Sequence, residues 1–210
     1  MADFHRTAVN DETFIRGAAR LMIANVTVTF PSSIGCVINM STYAASTDVT
    51  FGPWTDLGAT KGGVTISVNS SEESFDVDQI TGDLRTLPTN WECSVQTQLA
   101  ELSLDRLQVA WEGSAVTTDA TVTPNEKEMG FGQPLYFTER RLAVLFQRPY
   151  TTSNKIRGFF FRRVVRASAE SSVVFNKAGE QQSVTIRFRA LPDLSVADPY
   201  KRFFTVRDQQ

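Results

Sequence analysis

Apolar residues in this chain recur at every second position, segment after segment, with turn-forming residues between the segments. Val64, Ile66 and Val68 alternate with Thr65, Ser67 and Asn69. Val184, Ile186, Phe188 and Ala190 alternate with Thr185, Arg187 and Arg189. Successive side chains of a strand point to opposite faces, so this period predicts strands with one buried face. A chain made this way must pair its strands and manage whatever edges remain. Further segments fit the pattern. Leu21 and Ile23, then Val26, Val28 and Phe30, alternate with a phase slip at Ala24-Asn25, which predicts a strand with a bulge. Pro31-Ser32-Ser33 signals a turn, and Ile34, Cys36, Ile38, Met40 and Tyr43 predict a second strand. Phe75 and Val77 lie opposite Asp76 and Asp78. Ile80 is out of phase with them, so the strand is expected to end before it, with a turn at Thr81-Gly82-Asp83. Trp91, Cys93, Val95 and Thr97 resume the alternation. Residues 141–146 and 156–165 give two more strands, and the run Phe159-Phe160-Phe161 suits a strand covered on both faces.

One segment changes period. Leu99, Leu102, Leu107, Ala110 and Trp111 fit helical spacing, with Ser103 as N-cap, Asp105 in the first turn and Gly113 as the terminator. The simplest role for Leu107 and Trp111 is core. Residues 113–134, rich in Thr, Gly and Pro, read as loop or weak edge strand, and residues 167–172 as a short helical or irregular turn. The segment 197–206 is polar, with Tyr200, Phe203 and Phe204 in it. Together these predict a mainly β fold, a β-sandwich or barrel-like domain with one packed helix. A single domain over residues 1–210 is expected, with a polar arm at 1–18 and an extended link at 45–63. Trp54 and Leu57 in that link need burial, either against another subunit or back on their own domain.

The chain of 210 residues is 41% hydrophobic, with 15 Phe, which fits a packed protein. Its net charge of -2 is unevenly placed. Residues 1–138 hold 7 Lys/Arg against 17 Asp/Glu, a formal -10, and residues 139–210 hold 14 against 6, a formal +8. Either acidic and basic surfaces meet, within or between subunits, or the charges are spread by chance over a folded surface. Cys36 and Cys93 are too few for a disulfide framework and sit in apolar alternating stretches, so both read as buried free thiols. The N-terminal residues lack an apolar signal core and there is no run of about 18 apolar residues, so synthesis in a cytoplasm and no spanning helix are expected.

Catalytic motifs are not found. Gly58-Ala59-Thr60-Lys61-Gly62 has the wrong spacing for a phosphate loop, and its glycines precede a strand rather than opening a helix. A single histidine, His5, and the lack of a Cys-x-x-Cys pair argue against zinc sites and His-dependent triads, so no cofactor, metal or enzymatic role is expected. The stretch from Ser71 to Asp83 holds five acids and no base. On a regular strand Glu72, Asp76 and Asp78 share a face, which is either an ordinary solvated face or a repeated negative wall.

The order of these segments resembles the tail tube proteins of long-tailed bacteriophages, over residues 21–206. Three pieces carry the resemblance. The first is Leu57-Gly58-Ala59-Thr60-Lys61-Gly62-Gly63-Val64, and the second is the helix around Ala100-Glu101-Leu102-Ser103-Leu104-Asp105-Arg106-Leu107. The third is Phe175-Asn176-Lys177 followed by Val184-Thr185-Ile186-Arg187-Phe188-Arg189-Ala190-Leu191-Pro192-Asp193. The resemblance implies a β-sandwich tail tube module with a flanking helix and a long inter-subunit loop. Hexameric rings would stack into a hollow conduit for DNA ejection, each subunit adding strands to an inner barrel. Glu72, Asp76 and Asp78 would face the lumen, and Trp54, Leu57 and Lys61 would belong to the inter-subunit loop. Partners would be the chain itself, a tape measure protein, a tail terminator, baseplate or initiator proteins, DNA in transit, and a sheath protein if the tail contracts. The location would be the virion tail, assembled in the host cytoplasm. A different class stays open: a β-sandwich carbohydrate-binding or adhesion module using Trp54, Trp91 and Tyr43.

Overall fold

The structure, a computed structural model, describes residues 19–38, 45, 51–77, 80–132, 135–147, 155–167, 173 and 182–209. Its strands are β1 (Ala19–Asn25), β2 (Thr55–Asp56), β3 (Thr60–Val77), β4 (Ile80–Leu99), β5 (Thr117–Asp119), β6 (Glu126–Glu128), β7 (Arg140–Gln147), β8 (Ile156–Arg166), β9 (Val184–Leu191) and β10 (Phe204–Asp208). The helix α1 (Leu104–Trp111) follows β4. The fold is therefore mainly β, and every strand pairing is antiparallel. The main sheet runs β2-β1-β7-β8-β9-β4-β3. β8 gives one edge to β7 and divides the other, residues 157–161 pairing β10 and residues 163–166 pairing β9.

The centre of this sheet is buried on both faces, and adjacent residues of β8 serve different cores. Phe160 packs with Met22, Ala143 and Leu145, under a cap of Ile34, Val37, Ile38 and Trp54. Phe161 joins Leu21, Leu142, Val144, Val164 and Phe188 on the other side. Both rings are fully buried, each contributing about 1.5–3 kcal/mol by removal from water. The second core continues through Val95, Leu99, Val184 and Ile186 to Ala110 of α1. Val64 and Ile66 of β3 pack against it too, so the sheet curls until one end of its order shares a core with β1 near the other.

The inward set Val184, Ile186, Phe188 and Ala190 is buried as the alternation predicts. The helix begins where expected, with Ser103 accepting from the Arg106 N–H. It ends one residue early: Glu112 takes the left-handed cap at φ 57, and the Gly113 N–H bonds the Gln108 carbonyl at 3.2 Å. The Glu112 carboxylate pairs with Arg140 and accepts from the Thr138 N–H, which fixes the residue in place of glycine. Within residues 113–134, β5 and β6 pair with each other as a small exposed hairpin.

Several expectations are corrected. β1 stops at Asn25 because the Asn25 side chain accepts from the Thr27 N–H at 2.9 Å, a local turn that replaces the predicted bulge and continuation. Residues 34–36 form a 3-10 turn, not a strand; Ile34, Val37 and Ile38 are buried at helical spacing, and this leaves Cys36 half-buried at the surface. The expected arm at 1–18, residues 46–50 of the link, Met40, Tyr43 and residues 168–172 and 175–177 lie outside the described residues. The chain reverses between Val77 and Ile80, which pair, so Thr81-Gly82-Asp83 lies within β4. Residues 204–208 form β10, a strand that the polar reading of 197–206 missed.

The link at 45–63 is not an extended loop in its described part. Trp54 is 3% and Leu57 1% exposed, each sealing one of the two cores of its own chain. The Leu57 N–H bonds the Leu21 carbonyl at 2.9 Å, and the Trp54 indole bonds the Phe51 carbonyl. Gly58 sits at φ 85 against the Glu101 carboxylate, where a Cβ would come within 2.4 Å of an oxygen. The Glu101 side chain could move aside, so it is the positive φ that favours glycine here.

Candidate interaction surface

β3 and β4 form a hairpin of 18 and 20 residues, far longer than the strand that supports it. β9 pairs only residues 94–99 of β4. The remaining residues 80–93 correspond to about 45 Å of strand, carried as a two-stranded ribbon. β3 ends the sheet order, so its outer edge has no strand beside it among the described residues. Described side chains at 68–74 and 86–92 are exposed, Val68, Leu87 and Trp91 among them at 48%, 38% and 54%.

The ladder is not uniform. Gly62 and Gly63, at φ 76 and φ 86, occupy an irregularity between Lys61 and Val64 that bends the edge strand. The Thr97 hydroxyl holds this bend by donating to the Gly63 carbonyl at 2.7 Å. A second shift falls between Ser71 and Glu72, beside Pro88, and a third between Phe75 and Val77. Proline removes a ladder N–H, so a bulge is where it fits. Of the residues predicted to face a lumen, Glu72 is exposed on β3, Asp76 falls at the third irregularity, and Asp78 lies outside the described residues. Lys61 is exposed on β3, whereas Trp54 and Leu57 are withdrawn into the cores and are not available for subunit contact.

Beside the ribbon, a cleft of about 1330 Å³ separates residues 88–93 of β4 from the segment 199–206. Trp91 and Val206 stand on its opposite walls, with Leu194 and Tyr200 on its rim at 73% and 96% exposure. The cleft's charged residues are Arg189, Lys201 and Arg202 against Glu92. A separate apolar stretch, Leu135, Tyr136 and Phe137, is 93%, 86% and 49% exposed. Trp91, a candidate from the sequence, lies in this cleft, whereas Val206 and Leu135 belong to segments with too few alternations to show a period.

The acidic and basic parts of the chain do meet within the subunit. Arg140 pairs with buried Glu112, and Arg187 lies 3.8 Å from Glu92. Three guanidinium groups, those of Arg162, Arg141 and Arg207, gather over the Phe30 ring at 4.0, 5.5 and 5.8 Å. Burial lowers the pKa of Arg141, opposed by the Asp193 charge. Asp193 is itself held below the ordinary carboxylate value, chiefly by the Ser195 hydroxyl at 2.6 Å, with Arg162 and Arg141 assisting. Burial raises the Cys93 thiol to about 11. For Cys36 burial acts upward too, but hydrogen bonds with Ser33 and Ser32 outweigh it and the thiol is lowered. Among the described residues, no group of three or more His, Cys, Asp or Glu is placed to hold a metal, and no helix is long and apolar enough to cross a membrane.

No known family's model matches the chain, and none of the curated proteins matches it either.

Proposed function

We propose that this chain is a tail tube subunit of a bacteriophage virion, a β-sandwich-like module that stacks as hexameric rings into a hollow conduit for DNA ejection. The observation that carries this reading is the ribbon: a long two-stranded extension whose outer edge has no partner strand among the described residues, beside an open apolar cleft. A soluble monomer gains nothing from such an edge, which is a template for pairing with another chain. Repetition around a ring removes the edge by closure. Contacts between unlike faces then propagate as an open filament. Acids on the ribbon, repeated around a wall, repel nucleic acid phosphates and keep DNA from adhering as it passes. The partners on this reading are other copies of the chain, a tape measure protein, a tail terminator and the baseplate or initiator proteins. A sheath protein joins them if the tail contracts.

A carbohydrate-binding or adhesion role is the second reading, favoured by the exposed Trp91 and Tyr200 at the cleft. Trp54 no longer supports it, being buried. Negative-stain electron microscopy of the concentrated protein, with light scattering on the same sample, separates the two. Rings or hollow tubes support the tube. A monomer that binds soluble oligosaccharides with quenching of tryptophan fluorescence contradicts it.

A further inference from the structure

Two exposed apolar features of this chain are complementary in shape and in charge. One is a projection. Leu135, Tyr136 and Phe137 are largely in solvent, yet their base is pinned. The Thr138 N–H donates to Glu112 at 3.3 Å, and Phe131 meets Trp111 edge to face at 6.3 Å. The Gly130 N–H and the Ser114 hydroxyl hold the approach at 2.9 Å. Large apolar groups held outward on an anchored base mark a contact site rather than a loose loop. The adjoining β5–β6 hairpin carries Asp119, Glu126 and Glu128 against Lys127. The other feature is the cleft between the ribbon and β10, apolar along Val68, Trp91 and Val206, with Arg189 and Arg202 against Glu92 and with Lys201 paired to Asp198 at 3.2 Å. Its volume of about 1330 Å³ accommodates several large side chains.

We propose that the Leu135–Tyr136–Phe137 projection of one copy docks in the ribbon–β10 cleft of a second copy. The acidic hairpin meets the basic cleft rim, which orients the encounter, and Tyr136 supplies the kind of aromatic anchor that dominates such contacts. Projection and cleft are different surfaces of one molecule, so the contact is heterologous and each docked copy leaves one of each free. This rests on the reading of the chain as a self-assembling subunit and names the faces that meet.

The test uses two double variants of the full chain, Leu135→Asp with Tyr136→Asp and Trp91→Asp with Leu194→Asp. All four side chains are more than half exposed, so both variants fold, and thermal melting verifies this. In sedimentation velocity the wild type associates with concentration, and each variant alone loses affinity by about tenfold or more. An equimolar mixture of the two variants restores a dimer and nothing larger, because one intact projection finds one intact cleft. Association of either variant at wild-type strength overturns the contact, as does a monomeric mixture or a wild type monomeric at its highest soluble concentration. A Trp91-dependent glycan complex of that monomer would assign the cleft to a sugar instead. Tubes from either variant reject the contact but keep the tube; chains of docked wild-type copies without rings keep the contact but reject the tube.

Discussion

The β1–β7–β8 body and the β3–β4 ribbon are written in the same alternating code and have opposite fates. In the body, alternate residues enter two cores, so Phe160 and Phe161 are both fully buried although adjacent. In the ribbon, the same alternation leaves Val68, Leu87 and Trp91 exposed, because among the described residues no second layer is packed on them. Strand patterning thus specifies pairing, while burial depends on what the topology places opposite. The body is stabilised by its own packing. The ribbon holds exposed apolar surface and an edge with no partner strand among the described residues, and on the proposed function both serve assembly.

Deletion of side chains should separate the two regions most strongly. Phe160→Ala removes a ring from the closed core and should cost about 3–5 kcal/mol of stability, because the cavity cannot fully collapse. Leu87→Ala in the ribbon should cost less, about 1–2 kcal/mol, since that residue is 38% exposed and its loss leaves no closed cavity. Chemical denaturation of both variants measures the difference. Similar losses at the two sites would mean that the ribbon is packed as the body is.

A smaller effect concerns acid. Asp193 has a folded pKa below its unfolded value, so its contribution is present above the unfolded pKa, near 4, and is lost as pH falls through the folded value. Asp193→Asn should lower stability at pH 7 by about 0.5 kcal/mol or less and flatten the loss on acidification below pH 4. Equal acid dependence in variant and wild type, read from melting curves across that range, would contradict this.

The sequence made the body legible for a physical reason: strands such as residues 184–191 keep strict phase because one face is always buried. The helix was legible because its cap chemistry is local, with Ser103 accepting from Arg106 three residues on. Elsewhere a side chain overrode the pattern. Asn25 ended β1 through a turn invisible to periodicity, and Ile34, Val37 and Ile38 followed helical spacing over too few residues to be distinguished from a strand. The fate of Trp54 and Leu57 depended on distant cores, which no local pattern encodes. The acidic stretch was visible, but the irregularities at Glu72 and Asp76 shift its faces in ways that residue spacing does not predict. The cleft was least legible, since its walls come from β4 and from the last strand, joined only by folding.

The most direct test of this division is removal of the ribbon alone. Ser70 and Trp91 are cross-strand partners, so residues 71–90 can be replaced by Asn-Gly, a turn that suits a two-residue hairpin. Melting temperature and electron microscopy are then compared with the full chain under assembling conditions. The account predicts a body that melts within a few degrees of the wild type and no rings or tubes. Normal tubes from the shortened chain, or a body that no longer folds, would contradict it.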